Sequence, residues 1–244
     1  MALDGSGGTN TLSLTGTGAF KLATPKALTN IQVIDVTEGQ AAFGPLAATN
    51  QTVTLKSFQN FTVNVSGGGM CGLNAFDSGI NTVFLKASTV AWNFTANAEA
   101  GLTIRDQSAT LDTITAGGAG QTITGGAAGK LIMIAAAQGG TIFRDTANQF
   151  NGDTIENFAT TADAGNVIDI TDINFSKLTT ATFTENPAGT QGQLKLSDGT
   201  HTATVTLFGQ FVAGMNTAAA AAGFIIASDG GTGVRVTHPL AVPH

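Results

Sequence analysis

Between residues 117 and 133 glycine pairs and aliphatic residues recur at a spacing of eight to nine. The run reads Gly117-Gly118-Ala119-Gly120-Gln121-Thr122-Ile123-Thr124, then Gly125-Gly126-Ala127-Ala128-Gly129-Lys130-Leu131-Ile132-Met133. A chain with that period can wind into a parallel β-roll. Glycine takes the tight corners, and an aliphatic residue points inward from each short strand. The aspartates that would hold an ion in such corners are largely missing from this run, where Gln121, Thr122 and Lys130 stand instead.

Apolar residues continue the rhythm over a longer span: Leu12, Leu22, Val33, Phe43, Val53, Val63, Leu73, Phe84, Phe94, Ile104, Ile114, Ile123, Ile132 and Ile142, in steps of nine to eleven. Thr11, Thr52, Thr62, Thr103, Thr113, Thr122 and Thr141 each precede the marked residue. Threonine–aliphatic pairs among alternating polar residues predict short, half-buried strands. A ten-residue rhythm fits the strands and corners of a solenoid, and equally an antiparallel sandwich or barrel. The glycine repeats favour the solenoid.

Composition agrees with a β-rich chain. Only 11% of residues are charged while 32 are glycine, so hydroxyls and amides replace the Lys and Glu that coat helices. The net charge is −6 and the ten basic residues are scattered singly. A nucleic-acid groove or an anionic membrane surface needs clustered Lys and Arg, so neither partner is expected. No run of 18 apolar residues exists, which argues against membrane insertion by a helix. Met1-Ala2-Leu3-Asp4-Gly5 lacks the basic and apolar regions of a secretory signal, so an export address is expected elsewhere. The one cysteine, Cys71, lies among Gly67, Gly68, Gly69, Met70 and Gly72 and reads as an inert small side chain.

After about residue 145 the strands lengthen: Val167-Ile168-Asp169-Ile170, Thr182-Phe183-Thr184, Leu194-Lys195-Leu196 and Thr204-Val205-Thr206-Leu207. Asp198-Gly199 predicts a hairpin turn, and Asp229-Gly230-Gly231 turns a closing hairpin. Thr217, the alanines that follow it and Gly223 predict one short capped helix. The expected fold is all-β: a parallel β-solenoid or β-roll over 1–144, then a β-rich cap with one short helix over 145–244. Such a cap covers the apolar end and unpaired edges of a coil.

The glycine run resembles two degenerate nonapeptides of the RTX type. Phe143-Arg144-Asp145-Thr146, Asn151-Gly152-Asp153-Thr154-Ile155-Glu156-Asn157-Phe158 and Val167-Ile168-Asp169-Ile170-Thr171-Asp172-Ile173 resemble the segment that closes RTX arrays. Leu196-Ser197-Asp198-Gly199-Thr200 and Ser228-Asp229-Gly230-Gly231-Thr232 are similar to the C-terminal region of type I secretion substrates. The resemblance is best over 117–236. It implies export through an uncleaved C-terminal signal and folding on calcium outside the cell. The missing acids depart from the pattern, because a lysine ammonium repels Ca²⁺ and the ion needs six to eight oxygens. Packing and backbone ladders are therefore expected to hold the repeat.

Asp145, Asp153, Glu156, Asp163, Asp169 and Asp172 place six of the 16 acids within 28 residues, with Asn151, Asn157 and Asn166 as neutral oxygen ligands. This acidic seam is the candidate metal site, with calcium as the candidate cofactor. The other reading is a solvated acidic edge that keeps sheets from pairing. His201, His238 and His244 have no zinc spacing, and neither a Gly-x-Ser-x-Gly elbow nor a phosphate loop occurs. Asp169 and Asp172 carry no sign of the raised acid that a glycosidase needs. No enzymatic activity is expected. Tyrosine is absent and Trp92 is the only indole, so an aromatic sugar platform is lacking, and Trp92 reads as buried beside Phe94.

The expected function is an extracellular or cell-surface structural protein, exported by a type I system. It is expected to self-assemble as a homo-oligomer or homopolymer into a filament, surface layer or adhesive matrix, because open coil ends stack without closing. Cell-surface polysaccharide is a natural contact for such an element. The alternatives are a calcium-binding C-terminal export and folding module of a larger adhesin or hydrolase, and a secreted hydrolase using Asp or Glu.

Overall fold

A computed structural model describes residues 2–4, 7–16, 19–21, 27–29, 33–38, 51–56, 62–66, 69–76, 82–96, 101–159, 165–209, 211 and 223–238. In chain order the first strands are β1 (Ala2–Asp4), β2 (Thr11–Gly16), β3 (Ala19–Lys21), β4 (Ala27–Thr29), β5 (Val33–Glu38), β6 (Gln51–Lys56), β7 (Thr62–Ser66) and β8 (Gly69–Phe76). The middle of the chain holds β9 (Thr82–Leu85), β10 (Trp92–Ala96), β11 (Thr103–Asp106), β12 (Asp112–Thr115), β13 (Thr122–Gly125), β14 (Leu131–Ile134) and β15 (Ile142–Asp145). A short helix α1 (Ala147–Phe150) precedes β16 (Thr154–Ala159) and β17 (Val167–Ile170). The last strands are β18 (Thr180–Glu185), β19 (Gln191–Ser197), β20 (Thr202–Gly209), β21 (Ile225–Ser228) and β22 (Val234–Thr237).

From β7 to β17 successive strands fall alternately into two 10-stranded sheets, the odd-numbered strands into the first and the even-numbered into the second, each pairing in parallel with the strand two places earlier. The chain is thus a two-sheet parallel solenoid. One coil runs from Thr103 to Thr122, 19 residues, so the ten-residue rhythm of the sequence is half a coil. Strands this short satisfy their backbone groups only through neighbouring coils, which is why glycine corners and a constant repeat go together. The glycine pairs at 117–118 and 125–126 occupy the corners before and after β13.

Side chains alternate inward and outward, and in-register pairing stacks like on like. One inward column is Val83, Ile104, Ile123, Phe143, Ile168 and Val236. The facing sheet stacks Phe94, Ile114, Met133, Ile155 and Leu207. All of these are buried, and such burial is the main favourable term in folding. Trp92 is buried as well, its Nε1 donating to the Lys86 carbonyl at 3.1 Å.

Four of the apolar residues that carried the rhythm face the other way. Val33, Phe84, Ile132 and Ile142 are half-buried outward positions, while Ile34, Val83, Leu85, Leu131, Met133 and Phe143 beside them fill the core. Both faces of these strands carry apolar residues, so residue type alone does not reveal the parity. Leu22 and Phe43 lie outside the described residues.

Parallel pairing continues past residue 144, through β14–β16 and β15–β17. Antiparallel pairing begins where β22 meets β17, with β21–β22 beyond it and the β18–β19–β20 meander joined to β16 through β20. Parallel pairing thus runs through Ile170 and recurs where β20 meets β16. The Asp198-Gly199 turn joins β19 to β20, where Asp198 Oδ1 accepts from the backbone N–H groups of Thr200 and His201 at 2.8 and 2.7 Å. The helix expected at 217–222 lies outside the described residues. Among the described residues the short α-helix is α1, capped by Thr146.

A phenylalanine cluster fills the join between coil and cap. The Phe183 ring lies 4.8 Å from both Phe211 and Phe224, and Phe224 stacks on Phe158 at 6.1 Å. The backbone of Gly192 passes directly under Phe183, leaving no room for a Cβ. Phe183→Ala is expected to cost about 3–5 kcal/mol, read as a lower urea midpoint with the parallel coils still folded. An unchanged midpoint would show that the cluster does not hold the cap on.

Candidate functional site

The corners of the coil bury polar side chains in register, an arrangement the apolar rhythm did not reveal. Where the second sheet's strands begin, Trp92, Asp112, Leu131 and Asp153 are consecutive rungs. Where the first sheet's strands end, the rungs are Leu85, Asp106, Gly125 and Asp145. Two coils therefore carry a pair of aspartates, and the coil between them carries Gly125 and Leu131 in their places.

Several of these carboxylates reach backbone N–H groups of the preceding coil. Asp112 Oδ1 accepts from Trp92 N at 2.7 Å and from the Thr110 hydroxyl at 2.6 Å. Asp145 Oδ2 accepts from Gly125 N at 2.7 Å. Asp153 Oδ1 accepts from Lys130 N and Leu131 N at 3.1 and 3.2 Å. Asp106 Oδ1 turns instead to Ser108 N, at 2.8 Å. The opposite corner repeats the device with neutral groups. There Gln121 Oε1 accepts from Gly117 N, Thr141 Oγ1 from Ala136 N and Asn166 Oδ1 from Thr141 N. The N–H groups that a tight corner leaves without ladder partners are thus satisfied by the chain's own side chains.

The aspartate corners carry charge into the interior. Asp106, Asp112, Asp145 and Asp153 are all buried, and Oδ2 of Asp106, Asp112 and Asp153 has no hydrogen-bond partner. Burial pushes the Asp106, Asp145 and Asp153 carboxyls up to about 7, against backbone hydrogen bonds that favour the charged form. The Asp112 carboxylate raises Asp106 further, and Asp153 does the same to Asp145. A proton on Asp106 gives that carboxyl a donor for its neighbour Asp112, relieving two unsatisfied oxygens at once.

The six acids of the seam are spread over several places. Asp145 and Asp153 sit in the corner just described. Glu156 lies half-exposed on the outer face of β16. Asp169 pairs with Arg144 at 3.3 Å and keeps a buried, unpartnered Oδ1; burial raises its pKa, opposed by Arg144. Asp172 Oδ1 accepts from Ala147 N at 2.6 Å at the start of α1. Asp163 lies outside the described residues. Among the described residues no group of three or more acids, histidines or cysteines converges on one point. The carboxylates mostly face N–H donors, and Asp169 faces a guanidinium, so the described acids do not compose a single oxygen shell.

Asp106 and Asp112 lie outside both the glycine repeats and the acidic seam, so the clustering of acids in sequence does not point to them. The signal was present as recurrence: an Asp closing one strand and an Asp opening the next, at 106/112 and again at 145/153.

Outside the corners, a groove of about 480 Å³ runs over the outer face of the first sheet, lined by Thr103, Arg105, Thr122, Thr124, Arg144 and Gln149 among others. No helix among the described residues is long and apolar enough to cross a membrane. No protein-family model, curated protein or solved structure matches this chain.

Proposed function

We propose that this protein is a non-enzymatic extracellular structural element, exported by type I secretion, that self-assembles into a filament, surface layer or adhesive matrix. The observation that carries the reading is the pair of long parallel ladders with strand edges left at their ends. Among the described residues β2 and β3 are the outermost strands at one end, and β21 and β18 at the other. Among the described residues both ladders therefore end on edge strands, and a strand edge can template further strands. Only 11% of residues are charged, which leaves little repulsion to keep such edges apart. Export rests on the resemblance of 117–236 to type I secretion substrates. Sedimentation velocity over a wide concentration range, with calcium present, tests the assembly. Species that lengthen with concentration are expected, and a sharp monomer boundary throughout would overturn the reading.

A second reading, a calcium-binding export and folding module of a larger protein, is favoured by one observation. Asp153 Oδ2 and Asp169 Oδ1 are buried without partners, a cost that a nearby cation would relieve. Thermal melting with calcium and with chelator separates the readings. A midpoint raised by several degrees in calcium is expected of the module, and an unchanged midpoint rules it out.

A further inference from the structure

We propose that the outer face of the first sheet, along Lys86, Arg105 and Arg144, binds an anionic polysaccharide bearing carboxylate groups. The chain has ten basic residues against 16 acids, yet this face gathers four of the ten, Arg235 standing exposed on β22 one rung beyond Asp169. Phe84, Arg105 and Thr124 are paired on consecutive rungs, and Arg144 follows Phe143, the partner of Ile123. Arg105 and Arg144 therefore project from the same outward column two strand spacings apart, about 10 Å. Lys86 extends the line, its Nζ lying 4.9 Å from the centre of the Phe84 ring.

The groove between the arginines is lined by hydroxyls and one amide, including Thr122, Thr124 and Gln149. Among the described residues the only carboxyl lining it is Asp145, which is buried and already bound to Gly125 N and the Thr124 hydroxyl. Arg144 also holds Asp169, but its side chain remains 57% exposed. Among the described residues Arg105 forms no ion pair, and its side chain stands in solvent beside the groove. A guanidinium fork matches a carboxylate in two parallel hydrogen bonds, and threonine hydroxyls exchange donors and acceptors with sugar hydroxyls. The half-buried Phe84 ring offers an apolar edge to sugar C–H groups one rung away. Charges set in a line over several rungs suit a chain-like ligand better than a single small anion. Nucleic acid is the less favoured polyanion, since these few cations neutralise too few phosphates to hold a duplex. Such binding is a property of one coil face and does not require self-assembly.

Calorimetric titration with hyaluronan oligosaccharides, which carry one carboxylate per disaccharide, tests the site. Neutral dextran and a DNA duplex serve as comparisons. Saturable hyaluronan binding is expected, weakening as salt is raised and about tenfold weaker in Arg105→Gln. Lys86→Gln should weaken it about threefold, while Lys195→Gln, on the exposed face of β19, should leave it unchanged. Because Arg105 and Lys86 are not core residues, melting midpoints equal to wild type are expected for both variants, and either one alone suffices for the test. Wild-type affinity in both variants, equal binding of dextran, or tighter binding of DNA would each overturn the proposal.

Discussion

Raising the pH from 4 to 8 is expected to destabilise this fold markedly, the reverse of the behaviour of a protein held by ionised carboxylates. Asp106, Asp145 and Asp153 titrate near 7 in the folded chain because burial penalises their charged form, against 3.8 for an unperturbed aspartate. Between those values the folded state binds more protons than the unfolded state, so each rise in pH favours unfolding. The contribution is complete below pH 3.8, is lost as pH climbs, and levels off above about 7. Each group sets an upper limit of about 4 kcal/mol, and relaxation around the corner will reduce it. Against total stabilities of about 5–15 kcal/mol, even half of that from three groups is large. Asp198 works in the opposite direction, since its backbone hydrogen bonds hold its pKa low and its contribution is lost only as pH falls. Melting curves at pH 5 and pH 8 check the sign. The midpoint should be lower at pH 8, and Asp153→Asn, which keeps an acceptor for Lys130 N and Leu131 N without the charge, should flatten the profile. A midpoint that rises with pH would contradict the burial of these acids.

Gly125→Ala is the substitution expected to do most damage for its size. Gly125 has φ +104°, a conformation an alanine adopts only under strain, and its added Cβ would overlap the Asp106 carbonyl oxygen on the neighbouring coil. The same residue donates its N–H to Asp145, so moving the backbone away breaks a partly buried hydrogen bond. Strain, overlap and the lost bond together should cost about 3–5 kcal/mol. Gly199→Ala is the matched comparison. Its φ is +88° but a Cβ there meets nothing within 4 Å, so a cost of about 1 kcal/mol is expected. Urea unfolding of the two variants side by side measures the difference, and equal costs would mean that the corner is not packed against its neighbour.

The coil was legible in the sequence because its constraint repeats: glycine corners and threonine–aliphatic strands at a constant step. Thr62, Thr82, Thr103 and Thr122 do fall on consecutive rungs of one sheet. The facing of individual residues was less legible. Leu131-Ile132-Met133 is apolar throughout, and only the register decides that Ile132 faces out. The site was harder still. A cluster of acids in sequence suggested a shared ion, but a coil sends neighbours to different surfaces, with Glu156 outward, Asp153 inward and Asp172 to a helix start. Asp106 and Asp145, far apart in the chain, are equivalent corners because the fold repeats. Clustered acids suggest calcium ligands, whereas Asp112, Asp145 and Asp153 accept hydrogen bonds from the backbone of the coil before and Asp106 from Ser108 N.

Diffraction from oriented assemblies of the purified protein tests the structural reading most directly. Strands stacked along the coil axis are spaced about 4.8 Å apart, and copies joined end to end would keep that spacing along the filament. The expected result is filaments in the electron microscope with a reflection near 4.8 Å parallel to their long axis. No ordered assembly at any concentration, with or without calcium, or a 4.8 Å reflection lying across the filament axis, would contradict the end-to-end account.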